Sequence, residues 1–139
     1  MNMQASINDI PYYGKYVLVV EEDEDMRNSM ATSLLKEGFY VLSTNSGKKA
    51  IRAMNNHMPE LVITCVDLPD MNGLDLCKWL KKQERFRDIP VLIVSNRKEL
   101  QDRINGFLAG AKRYICKPFE MADLLKHAVF HTRNSEISS

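Results

Sequence analysis

Four groups of residues in this 139-residue chain carry side chains able to do chemistry. Glu21, Glu22, Asp23, Glu24 and Asp25 form an acidic run, suited to holding a divalent cation or to facing the N-terminus of a helix. Cys65 lies two residues before Asp67 in LVITCVDLPDMNG, a thiol beside a carboxylate. Ser95 and Asn96 bring a hydroxyl and an amide, and Lys117 an ammonium. Other arrangements are poorer. His127 and His131 have the i, i+4 spacing of a metal pair but no third ligand, so an exposed helical face is the better reading. A C-x5-R phosphatase loop is missing, because Met71 follows Cys65 and Ala122 follows Cys116 at the sixth position.

The groups matter only if the chain brings them together. Tyr16 to Val20 (YVLVV) is a short β-branched run that suits a strand buried on both faces. After the acidic run, Met26, Met30, Leu34 and Leu35 recur at helical spacing, and Gly38 stops the helix. Strands are expected at Tyr40 to Leu42, Leu61 to Val66, Val91 to Val94 and Tyr114 to Cys116. Helices are expected around Ala50 to Met54, Leu74 to Lys82, Lys98 to Ala109 and Glu120 to His131. This alternation implies right-handed crossovers and an α/β, doubly wound five-stranded parallel sheet with five helices. Such sheets build their sites at the carboxyl ends of the strands, where Glu21, Glu22, Cys65, Asp67, Ser95 and Lys117 all fall.

Composition narrows the partners. Apolar residues make up 45% and charged residues 27%, as in a folded domain, and the net charge is +1. With basic residues scattered and not interleaved with aromatics, nucleic-acid binding by this domain is not expected. No apolar run reaches the roughly 20 residues of a membrane helix, and MNMQASINDIPYYGK has no signal-peptide core. Three cysteines without CxxC spacing suit a reduced, cytoplasmic chain. Cys77, Cys116 and Trp79 read as packing residues. The expected organisation is an N-terminal extension over 1–14, one domain over 15–133 and a flexible tail over 134–139.

The segments VLVVEEDEDMR, LVITCVDLPDMNGLDL, VLIVS and GAKRYICKPF, in this order and spacing, resemble the receiver domain of two-component response regulators, including the single-domain chemotaxis type. The resemblance runs from about Lys15 to Arg133 and implies the flavodoxin-like strand order 2-1-3-4-5 and a cis peptide between Lys117 and Pro118. It implies phosphoryl transfer from a histidine kinase to an aspartate after the third strand, with a metal held by an acid pair. Glu21 and Glu22 match that pair, Ser95 the hydroxyl, Lys117 the lysine and Tyr114 the aromatic switch. The family's acceptor precedes a Leu/Met-Pro pair by three residues, and counting back from Leu68-Pro69 gives Cys65.

The resemblance therefore implies a degenerate pseudo-receiver without its phosphoacceptor. Asp67 lies roughly 6 Å further along an extended chain, whereas transfer needs atoms within about 3.5 Å. Mg²⁺ demands oxygen ligands and octahedral geometry, so no cofactor, or at most a weak Mg²⁺ at Glu22 and Asp67, is expected. Glu21 and Glu22 are a surviving cation site or a solvated loop capping the next helix. Lys117 suits an ion pair with them, and Ser95 suits a cap on the fourth helix. For Cys65 the readings are a small packing residue or a thiolate poised by Lys117, with Glu21 and Glu22 favouring the protonated thiol. The expected function is non-enzymatic. A monomer or weak homodimer would bind a signalling protein through the face of helix four, strand five and helix five (Lys98 to Phe107, Tyr114, Ala122 to His131). The alternatives are a receiver phosphorylated at Asp67 and a redox sensor at Cys65.

Overall fold

The apolar runs become strands because each can bury both of its faces. The computed structural model describes residues 14–137, with side chains for 14–133. β1 (Tyr16–Val20) is buried along its whole length, as are β3 (Leu61–Thr64) and β4 (Val91–Ser95). The more exposed β2 (Tyr40–Thr44) and β5 (Arg113–Cys116) stand at the edges. The sheet has the order β2-β1-β3-β4-β5, and every pairing is parallel. That is the doubly wound topology expected from the sequence.

Helices alternate with the strands: α1 (Glu24–Lys36), α2 (Gly47–Asn56), α3 (Gly73–Lys82), α4 (Leu100–Ala109) and α5 (Met121–Ile137). Successive β1 side chains point to opposite faces of the sheet. Val17 and Val19 pack with Met30 and Leu34 of α1 and with Leu124 and Ala128 of α5. Leu18 and Val20 pack on the other side with Met54 of α2 and with Leu76 and Leu80 of α3. Two apolar layers thus hold the sheet between them.

Local chemistry fixes where each helix begins. The Asp23 carboxylate accepts the Met26 N–H at 2.8 Å, Ser46 Oγ accepts that of Lys49 at 3.2 Å, and Asn72 Oδ1 accepts that of Leu74 at 2.7 Å. Asp70, in the β3–α3 loop, also takes the Gly47 and Lys48 N–H groups at 2.9 Å each, which ties that loop to the start of α2. α4 ends at Gly110, whose φ of +106° suits a residue without a Cβ.

Two expectations need correction. Ser95 does not cap α4: its hydroxyl accepts the Arg97 N–H, while Glu99 is the cap residue and its N–H donates to Asp102. The loop of residues 96–99 separates strand from helix and puts Ser95 out of reach. The final helix runs on through Ile137, as residues 131–137 contain no glycine or proline to stop it. The expected tail over 134–139 is therefore helical as far as 137. Residues 138–139, and all of the expected extension except Gly14, lie outside the described residues. Among the described residues no helix is long and apolar enough to cross a membrane.

Candidate functional site

Parallel strands deliver their carboxyl ends to one edge, where a cleft of about 230 Å³ opens. Glu21, Glu22, Asp23, Cys65, Val66, Asp67, Ser95, Asn96 and Lys117 line it. The fold thus gathers the residues expected from four strand ends, but it gives them different employments.

The acidic run divides. Glu21 is buried at 2% exposure, and its Oε1 accepts a hydrogen bond from Lys117 Nζ at 2.8 Å. Its Oε2 accepts the Asp23 N–H at 2.9 Å, so both carboxylate oxygens are engaged. Glu22 faces solvent. Arg27 donates to the Glu21 and Glu22 carbonyls at 2.9 and 3.3 Å, bracing the loop from α1. The cap on α1 is Asp23 rather than either glutamate. The Lys117–Pro118 peptide is cis, and the Lys117 N–H donates to the Ser95 carbonyl at 2.7 Å.

Cys65 sits at the floor, just past the last residue of β3, with its N–H on the Val20 carbonyl at 2.9 Å. Burial pushes its thiol up to about 11, Glu21 adds to the rise, and Lys117 opposes it. The thiol is protonated at neutral pH. Its backbone is held close to α3, since a Cβ on Gly73 would run into the Cys65 carbonyl oxygen.

Asp67 has a partner the sequence did not suggest. Its Oδ1 meets Arg97 Nη2 at 2.7 Å and its Oδ2 meets Arg97 Nε at 3.2 Å, a forked pair at the surface. The Arg97 carbonyl in turn accepts the Tyr114 hydroxyl at 2.7 Å. Burial raises the Tyr114 hydroxyl above its ordinary range, and the Ser95 hydroxyl works against that rise. Arg97 lies in a polar loop with no apolar periodicity around it. Its spacing of two residues from Ser95 was the available signal.

The remaining candidates stay apart from the cleft. His127 and His131 stack on α5 with ring centroids 6.5 Å apart, and burial, followed by Arg113, holds both below the usual imidazole range. Cys77 is buried and donates its S–H to the Ala109 carbonyl at 3.3 Å, Trp79 packs on Phe86, and Cys116 is partly exposed on β5. Among the described residues, no three His, Cys, Asp or Glu side chains form a metal-binding group.

The family model for the response regulator receiver domain matches residues 17–129. The chain is 32% identical over 112 residues to the transcriptional regulatory protein GltR of Pseudomonas aeruginosa, covering 81% of this chain and 46% of that one. It is 34% identical over 109 residues to the phosphate regulon transcriptional regulatory protein PhoB of Klebsiella pneumoniae, covering 78% and 48% respectively. It therefore spans about half the length of these curated relatives. Among solved structures, the BeF3-activated N-terminal receiver domain of Klebsiella pneumoniae RstA superposes with a TM-score of 0.79 at 26% identity, covering 86% of this chain and 99% of that one. The non-phosphorylated HemR receiver domain of Leptospira biflexa gives 0.77 at 28% identity, with coverages of 85% and 94%. A cleft of these residues, on this topology and with these matches, places the chain in the response regulator receiver domain family of two-component signalling.

Proposed function

We propose that this receiver domain has given up aspartyl phosphorylation and acts in the cytoplasm as a protein-interaction module. The observation that carries the reading is the Cys65 thiol at the floor of the cleft, buried and pushed up to about 11, where the family resemblance calls for a carboxylate. A protonated thiol is a poor nucleophile toward phosphorus and a poor ligand for a hard cation. The surrounding groups support the same reading. Lys117 is neutralised by Glu21, and the Asp67 carboxylate is held by Arg97. Of the cleft carboxylates, Glu21 and Asp67 are held by cations and Asp23 caps α1, which leaves Glu22 with the neutral oxygens of Ser95 and Asn96, a weak set for Mg²⁺. The same raised thiol argues against a redox sensor at Cys65, whose reactivity would require a thiolate.

The partner would meet the face of α4, β5 and α5. α4 turns Gly106 and Ala109 inward and leaves Leu100, Phe107 and Leu108 at 72%, 61% and 76% exposure, the reverse of an ordinary surface helix. Exposed apolar residues grouped on one helix mark a binding surface more often than scattered ones do. The test is incubation with acetyl phosphate and Mg²⁺, followed by Phos-tag electrophoresis. The expected result is no shifted band. A stable phosphoprotein lost on Asp67→Asn would overturn the proposal in favour of a displaced acceptor.

A further inference from the structure

Arg97 joins structures on both sides of the cleft. Its guanidinium grips Asp67 of the β3–α3 loop through Nη2 and Nε. Its N–H donates to Ser95 Oγ at 3.0 Å, and its carbonyl accepts the Tyr114 hydroxyl at 2.7 Å. The Tyr114 ring lies directly against α4, where a Cβ added to Gly106 would stand only 2.7 Å from Tyr114 Cδ2. Side chain, amide and carbonyl of one residue thus connect the cleft wall, the strand end and the helix that bears the exposed apolar stripe.

We propose that the Asp67–Arg97 ion pair is a latch, which holds the β4–α4 loop against the β3–α3 loop and keeps Tyr114 seated beneath α4 without any phosphoryl group. This deepens the reading above and rests on it, in that α4 is taken as the binding face and the cleft as unphosphorylated. Asp67 supplies, from the β3 side, the anion that holds the β4–α4 loop across the cleft through Arg97. The pair is more than half exposed on both sides, so it biases the equilibrium and does not lock it. Breaking it should change the population of seated Tyr114 by at most about fivefold. High salt should act in the same direction by screening the pair.

The test uses the full chain carrying 3-fluorotyrosine, with the Tyr114 ¹⁹F resonance assigned by its loss in Tyr114→Phe. Asp67→Ala and Arg97→Gln are expected to move that resonance in the same direction, and the double variant no further than the larger single shift. A purely through-space charge effect would give shifts of opposite sign, because one change removes an anion and the other a cation. Sodium chloride at about 1 M should move the unaltered protein the same way. This arm needs no variant, so a variant that fails to fold leaves the answer readable. An unmoved Tyr114 resonance, opposite shifts, or additive shifts in the double variant would each overturn the latch. The same samples treated with acetyl phosphate report separately: a phosphoprotein defeats the earlier proposal, while the untreated spectra still decide on Arg97.

Discussion

Replacing Lys117 by methionine removes the cation but keeps most of the side-chain volume, and the structure sets the size of the effect. Glu21 is 2% exposed and has two hydrogen-bond donors, Lys117 Nζ at 2.8 Å and the Asp23 N–H at 2.9 Å. Removing one partner of a buried pair costs about 3–5 kcal/mol, because the other charge is left without compensation. The remaining Asp23 donor places Lys117→Met at the lower end, about 3 kcal/mol. Domains of this kind have about 5–15 kcal/mol in total, so the variant should fold but with a clearly lower urea midpoint. Adding Glu21→Gln should recover the loss to within about 1 kcal/mol. Urea titrations of the three proteins at pH 7 decide the matter. A cost below about 1 kcal/mol would mean that the pair is solvated and Lys117 is free for an incoming phosphoryl group.

Three further outcomes are expected. Iodoacetamide at pH 7.5 should label Cys116 before Cys65, and the Cys65 rate should keep rising with pH and level off only near about 11, read by peptide mass spectrometry. Gly73→Ala should cost about 3 kcal/mol in urea unfolding, since the new Cβ meets backbone at the Cys65 carbonyl. Gly47→Ala, which meets only the flexible Met71 side chain, should cost about 1 kcal/mol. Asp70→Ala should cost about 1 kcal/mol at pH 7 by releasing the Gly47 and Lys48 N–H groups. The Lys48 and Gly47 N–H groups lower the Asp70 carboxyl below its ordinary 3.8, so its contribution holds above that value and is lost as pH falls through the lowered one. The cost of the substitution should accordingly vanish in strong acid.

The strands were legible because burial on both faces demands unbroken apolar runs, as in YVLVV and VLIVS. The convergence of Glu21, Cys65, Ser95 and Lys117 was legible because a parallel sheet leaves its strand ends few places to go. The division of labour between Glu21 and Glu22 was not. Adjacent residues at a strand end point to opposite sides, and only the Lys117 contact shows which one turns inward. Arg97 stayed hidden for a related reason: its grip on Asp67 spans 30 residues of sequence and depends on the path of a loop that no periodicity describes. The start of α4 is written locally in Glu99-x-x-Asp102, a reciprocal capping pattern that places the helix start four residues beyond Ser95.

The clamp on Cys65 from beneath has a consequence for the history of such a site. Its amide is fixed by Val20, and its carbonyl is pressed between the Thr64 hydroxyl and the first turn of α3. None of these restraints involves the side chain at position 65. The scaffold would therefore survive an exchange of carboxylate for thiol at that point with its backbone in place. Foldability at this position is thus uncoupled from the chemistry of the side chain it carries.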